Sequence, residues 1–269
     1  MKILEKVNIR QIWSKRPYHT GLALSGGGAK GFAHIGVLMA MEKNGLKPDV
    51  LAGVSAGSVV AVLYAAGLSP RDIIECFGAY SGFSDFTNLT IPKTSFFRLD
   101  KFAKIFESWL PVKYMEKLDI PTVICATDIE AGKSKGWWKG EITPRVMASC
   151  CVPIVFAPIE IDGRNYIDGG VLRNLPAWAI RKQCDTLIGS NCSPLSDDYT
   201  FKASLPAVAM RTYSLMSKSN TLQDILLCDV MIRHAAVAKV STFDMSEMRS
   251  IVLKGYDTAM PVIEKMLKS

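Results

Sequence analysis

The sequence predicts a single α/β domain built on a mostly parallel sheet. Three observations carry this. Short apolar, strand-like runs alternate with helix-like stretches, glycine-rich turns follow the first two runs, and no linker, repeat or low-complexity tract interrupts them. Of 269 residues, 49% are apolar and 21% charged, which excludes a disordered, collagenous or coiled-coil chain. A chain of this length buries a sizeable core without disulfides or metals.

Residues 1–20 read as an N-terminal arm and 21–269 as the domain. From Gly21 the run GLALS enters Gly26-Gly27-Gly28, and a helix from about Ala29 to Asn44 ends at Gly45. Pro48 opens DVLAGVS, too short and too β-branched for a helix. Ala56–Ala66 is small and apolar, as expected of a helix packed on a sheet, and Ser69-Pro70 caps the next one. Residues 81–98 have no clean period and read as an apolar loop. Leu99–Leu110 is an amphipathic helix, and TVICATDIE after Pro121 a buried strand that returns through SKGWWKG as a hairpin. Thr143-Pro144 caps a short helix, RVMASCC. A second hairpin, turning at Asp162-Gly163, delivers the chain to Asp168-Gly169-Gly170. Leu175–Gln183 reads as helix, DTLIGSNC as strand, 205–227 as helix, CDVMIR as the last strand, and Ser246 onward as one or two helices.

The seven cysteines form no Cys-x-x-Cys pair and read as buried free thiols of a reducing compartment. A formal charge of +7 suits anionic partners, nucleic acid or a phospholipid surface, yet no block of five like charges selects one. No apolar run approaches the ~18–20 residues of a membrane span. The basic N-terminus has no apolar core or cleavage site, so a soluble, unprocessed chain is expected.

The strongest chemical signal is Gly53-Val54-Ser55-Ala56-Gly57, a G-x-S-x-G between strand and helix. A serine at so sharp a turn is exposed on a strained backbone, and glycines on either side admit close backbone approach. The alternative is a plain glycine-rich turn. The second signal, Gly26-Gly27-Gly28-Ala29-Lys30-Gly31, also fits a dinucleotide loop, but the second strand ends in Gly53-Val54-Ser55 rather than in an acid. Its N–H groups read instead as an oxyanion hole. Of the three histidines, His19 lies in the arm, His34 in the first helix and His234 after the last strand, and none sits in an evident catalytic loop. Asp168, at a strand end before two glycines, is the better base, set against an ordinary Asp-Gly turn.

Together these elements resemble the patatin-like phospholipase family. SGGGAKG at 25–31, GVSAGS at 53–58, ASCCVPIVFAP at 148–158 and DGG at 168–170 occur in the family's order, spanning residues 22 to about 181. The tail segments CDVMIR, STFD and GYDTAM are similar to those of bacterial members. The resemblance implies a three-layer α/β/α fold and a lipid acyl hydrolase working through a Ser–Asp dyad, with no cofactor and no metal. By position, Ser55 would be the nucleophile and Asp168 the general base. Backbone around Gly26, Gly27, Gly28 and Ala29 would form the oxyanion hole, supported by Lys30, Gly31, Gly53, Gly57, Gly169 and Gly170. Lys30 stands where many members carry arginine, keeping the charge without the two-pronged donor.

The implied substrate is a glycerophospholipid met at a membrane or micelle surface, by a cytoplasmic protein peripheral to the inner membrane face and without nucleic-acid partners. Neutral glycerides, simple esters, a transacylase use of the same dyad, and a non-catalytic adaptor stay open. Phe83, Phe86, Phe96 and Phe97 either fill the core under the 81–98 loop or rim the acyl pocket, with Lys93, Arg98, Lys101 and Lys104 nearby to meet an anionic surface.

Overall fold

The computed structural model describes residues 16–80, 82–89, 95–195, 199–200 and 203–268. In chain order these form β1 (Tyr18–Leu24), α1 (Phe32–Lys43), β2 (Val50–Val54), α2 (Ala56–Ala65) and α3 (Pro70–Gly78). Then come β3 (Asn88–Leu89), β4 (Phe97–Arg98), α4 (Asp100–Trp109), β5 (Thr122–Asp128), β6 (Lys133–Trp137) and α5 (Ile142–Cys150). The chain continues through β7 (Ile159–Ile161), β8 (Arg164–Asp168), α6 (Ala177–Ile180), β9 (Cys184–Asn191), α7 (Leu205–Ile225), β10 (Val230–Arg233) and α8 (Met248–Lys268).

The main sheet runs β10-β9-β1-β2-β5-β8-β7, with β6 also paired to β5. The five strands from β10 to β5 are parallel, whereas β6 and β8 run antiparallel to β5. Successive strand residues point to opposite faces, and both faces are covered, as a parallel sheet requires. Leu22, Leu24, Leu51, Ile124 and Ile188 join the larger core with residues of α1, α2, α3, α4, α5 and α8. Ala23, Val50, Ala52, Val54 and Val123 face the other way, toward Leu175, Ala177 and Ile180. The result is a three-layer α/β/α architecture.

One register detail positions the site. Residues 124–128 of β5 pair with β6 along one edge. The opposite edge is shared, Thr122–Cys125 pairing with β2 and Ala126–Asp128 with β8. Val54 lies opposite Cys125, and Asp168 lies opposite Ala126. Two strands running in opposite directions therefore meet end to end along β5, and Ser55 and Asp168 leave the sheet at the same level.

Several expected boundaries shift. The first strand begins at Tyr18, inside the stretch read as an arm, and residues 1–15 lie outside the described ones. Residues 81–98 are not all loop, for Asn88–Leu89 and Phe97–Arg98 pair as a short antiparallel ladder. α5 starts at Ile142 behind Glu141, so Pro144 sits within its first turn rather than at its cap. The helix expected over 175–183 shrinks to Ala177–Ile180. The C-terminal region is one helix that continues through Pro261. Seven free cysteines are present, four of them buried.

Candidate active site

Ser55 closes β2 and caps α2 with φ 51° and ψ −128°, a left-handed conformation that a side-chain-bearing residue rarely adopts. Neighbours hold this turn in place. The Ser55 N–H donates to Ser149 Oγ at 2.8 Å, and Ser149 Oγ donates to the Cys125 carbonyl at 2.6 Å. The Ser58 hydroxyl and N–H both donate to the Ser55 carbonyl, at 2.7 and 2.8 Å. Gly57 is required by packing, since a Cβ there would strike the Leu24 and Ser25 carbonyls.

Asp168 ends β8 and is fully buried. Its N–H donates to the Cys151 carbonyl at 2.8 Å, and its own carbonyl accepts from Thr127 Oγ1 at 3.1 Å. Oδ1 accepts from the Gly170 N–H at 2.8 Å and from the Tyr213 hydroxyl at 2.9 Å. Burial raises its pKa to about 6, against the lowering effect of Gly170, Ser55 and Tyr213. The Ser55 hydroxyl lies near enough to favour the carboxylate, yet among the described residues Oδ2 accepts no hydrogen bond of ordinary geometry. Such contacts are often long until substrate is bound.

The glycine loop lies beside this pair and is held from several sides. The Ser25 N–H donates to the Ser190 carbonyl at 3.0 Å, and the Cys192 N–H donates to Ser25 Oγ at 3.0 Å. His34 is buried beneath the loop, with Nε2 2.9 Å from the Ser25 carbonyl and Nδ1 2.8 Å from Ser190 Oγ. Ser190 Oγ is also 3.0 Å from His234 Nε2. Desolvation depresses both imidazoles, His34 to about 4 and His234 to about 3. Both stay neutral near pH 7, and among the described residues neither is bonded to Ser55. His19 is an exposed residue near Asp185.

Two of the four expected oxyanion-hole donors are engaged elsewhere. The Gly26 N–H donates to the Asn174 carbonyl at 3.1 Å and the Ala29 N–H to the Thr242 carbonyl at 2.8 Å. Among the described residues, the Gly27 and Gly28 N–H groups have no such partner. Of the four, the Gly27 and Gly28 N–H groups are therefore the ones left open to a ligand. Gly28, at φ 58°, also faces Thr242 too closely for any Cβ. Gly31 lies against Ala56, Gly53 against Ser58, and Gly169 2.8 Å (from its absent Cβ position) off the Cys125 carbonyl.

A cleft open to solvent runs past Ser55, Gly27 and Gly28. Its apolar wall includes Phe32, Val59, Phe77, Phe86, Phe102 and Phe156. Lys30 lies on its polar side, where burial lowers the ammonium pKa and, among the described residues, the Pro194 and Ala238 carbonyls accept from it, at 3.4 and 3.3 Å. Phe86 therefore belongs both to the core and to the cleft, while Phe96 and Phe97 are half-buried and donate to the Ile154 and Val155 carbonyls. The Phe83 side chain and Lys93 lie outside what the structure describes; Arg98 pairs with Asp100. Among the described residues no group of three or more His, Cys, Asp or Glu is placed to share a metal, and no helix is long and apolar enough to cross a membrane.

Residues 22–180 match the model of the Patatin family, described as patatin-like phospholipase. The chain belongs to the patatin-like phospholipase family. An NTE family protein of Mycobacterium tuberculosis is 34% identical over 166 residues, covering 58% of this chain and 43% of its own. Lysophospholipase NTE1 of Eremothecium gossypii is 24% identical over 279 residues, covering 91% of this chain and 18% of its own. This patatin-like chain thus spans less than half the length of these relatives. Among solved structures, VipD from Legionella pneumophila superposes with a TM-score of 0.54 at 16% identity, over 93% of this chain and 67% of that one. That likeness is one of fold.

Sequence reading of this patatin-like chain singles out Ser55, Asp168 and the glycines. Tyr213, Asn174, Ser149 and Thr242, which touch the same site, were not found by it. A signal for Tyr213 existed. Tyr213, Ser217, Asn220 and Asp224 recur at helical spacing as a polar stripe on α7, and all four contact the segment 168–178.

Proposed function

We propose that this protein is a lipid acyl hydrolase that cleaves fatty acyl esters of phospholipids through Ser55 and Asp168. The observation that carries the reading is the pairing of a serine on a left-handed elbow with a fully buried carboxyl at the same level of the sheet. Ser55 Oγ attacks the ester carbonyl as its proton passes to Asp168 Oδ2. The Gly27 and Gly28 N–H groups bind the oxyanion. Collapse of the tetrahedral intermediate expels the alcohol, which takes the proton from Asp168 and leaves an acyl-Ser55. Water then adds to the acyl group, gives a proton to Asp168, and releases the fatty acid as Ser55 recovers its hydrogen.

The apolar wall of the cleft suits an acyl chain, and the Lys30 ammonium suits an anionic headgroup. The lysophospholipase named among the relatives agrees with this chemistry. Ser55→Ala tests the reading. It should abolish hydrolysis of p-nitrophenyl acyl esters and of defined phospholipids followed by mass spectrometry, with an unchanged melting temperature. Full turnover by that variant would remove the nucleophile assignment.

A further inference from the structure

We propose that Tyr213 is a positioning residue for Asp168, a third member behind the serine and the carboxylate. Its hydroxyl and the Gly170 N–H occupy Oδ1, so Oδ2 is the oxygen presented to Ser55. The inference rests on the Ser55–Asp168 reading above.

Three independent features place this hydroxyl. The Tyr213 O–H donates to Oδ1 at 2.9 Å, and the Gly170 N–H donates to the same oxygen at 2.8 Å. With two donors on Oδ1, the carboxylate plane cannot turn without breaking both bonds. Among the described residues Oδ2 is buried and has no hydrogen-bond partner of ordinary geometry, a costly arrangement unless a proton donor such as the nearby Ser55 hydroxyl closes on it.

Next, α7 is fastened to the turn that carries the acid. Ser217 Oγ and Asn220 Nδ2 both donate to the Gly170 carbonyl at 2.9 Å, and Asn220 Oδ1 accepts from the Asn174 N–H at 2.9 Å. One turn further, Asp224 is buried against Arg173 and accepts from the Trp178 N–H. Three polar residues on the helical face of Tyr213 thus hold residues 168–178 in register with it.

Third, the residue after Asp168-Gly169 packs directly against the tyrosine hydroxyl. A Cβ on Gly170 would lie against the Tyr213 hydroxyl and 2.8 Å from Asn174 Oδ1. The tyrosine hydroxyl fills the space that an alanine methyl would take. A methyl added at Gly170 would therefore push the Tyr213 hydroxyl off Oδ1.

The groups facing Asp168 are few. Besides Tyr213 from α7 and Ser55 from the elbow, Cys150 at the end of α5 and Cys151 just after it lie close, both kept as neutral thiols by burial. Asp168 is therefore the one group among these that changes charge near pH 6, and Tyr213 favours its charged form.

Tyr213→Phe keeps the ring and removes the hydroxyl. On a short water-soluble p-nitrophenyl ester, kcat should fall about tenfold at pH 6, with KM changed less than about twofold. The acid limb of the rate profile should move to higher pH, so that the deficit shrinks by pH 8. A hydroxyl that only packs the helix would leave that limb in place. Gly170→Ala should displace Tyr213 and move the limb the same way, and in the Tyr213→Phe background it should add little. A Tyr213→Phe enzyme with the wild-type acid limb overturns the proposal, as does full additivity with Gly170→Ala. Wild-type activity in Asp168→Asn is the different result that would sink the dyad itself.

Discussion

Gly36 of α1 and Gly255 of α8 face each other at a helix crossing that leaves no room for a side chain. A Cβ on Gly36 would meet the backbone of Val252, Gly255 and Tyr256, and one on Gly255 would lie 2.7 Å from Ala33 Cα. The first and last helices are thus in backbone contact, and α1 carries His34 beneath the glycine loop. Gly255→Val should destabilise the fold by about 1–3 kcal/mol through overpacking. Thermal melts should show a lower transition, with Gly45→Ser, where open space surrounds the residue, as a comparison that strains only its own backbone.

Asp168 is buried at the expense of stability. Its folded pKa, about 6, lies above the unfolded value near 3.8, so the folded state holds the proton more tightly between those values. Stability falls as pH rises through that window and stays reduced above it. Asp168→Asn removes a charge whose burial costs on the order of 1–3 kcal/mol. Its amide oxygen can accept from Gly170 and Tyr213, and its nitrogen fills the place of the unpartnered Oδ2. The variant should melt higher than wild type at pH 8, level with it near pH 4, and be inactive throughout. Equal melting temperatures at pH 8 would contradict the burial argument.

The activity profile should follow the same group. If Asp168 accepts the Ser55 proton, kcat/KM rises with pH through about 6 and then levels off. Initial rates on a soluble ester between pH 4.5 and 8.5 measure this, with short exposure at the acid end.

Acid should also loosen the protein by a separate route. His34 and His234 are depressed to about 4 and about 3, while the unfolded chain titrates near 6.5. The unfolded state therefore binds more protons below pH 6.5, and stability is lost as pH falls from there toward 4. Each imidazole contributes roughly 1.4 kcal/mol per pH unit in that window. This opposes the gain from Asp168, and two histidines outweigh one carboxyl. His234→Leu should lower the melting temperature at pH 7, by losing the Ser190 contact, yet flatten its decline between pH 6 and pH 4.5.

Phe86 sits among Phe77, Tyr80 and Phe102 at centroid distances of 6.3, 4.8 and 5.4 Å and also lines the cleft. Phe86→Ala should destabilise by about 3–5 kcal/mol. Phe86→Leu should stay folded and shift the acyl-chain length preference upward, read from rates on a C4 to C16 ester series. An unchanged preference would place the acyl chain elsewhere in the cleft.

The local motifs were readable because each is a short run of sequence with a definite backbone demand. The elbow at Ser55, the glycine loop and the Asp168 turn all lie where periodicity and turn residues put them. What could not be read is how distant pieces meet. Periodicity places Asp168 at a strand end but gives no register, and it is the shared edge of β5 that brings it level with Ser55. The engagement of Gly26 and Ala29 depends on carbonyls of Asn174 and Thr242, more than 140 residues away. The true length of α6 was hidden as well, because tertiary packing ended a helix that propensity would have extended.

The middle place of β1 has a consequence for synthesis. Its two neighbours are β2, about 30 residues later, and β9, about 165 residues later. Until residue 191 has left the ribosome, one whole edge of the central strand is unpaired, and α1 waits longer still for α8. A chain made as far as residue 170 would carry the serine, the glycine loop and the carboxyl, and still present open strand edges to its neighbours. Pairings this distant in sequence form slowly, and the emerging chain needs protection from self-association while it waits.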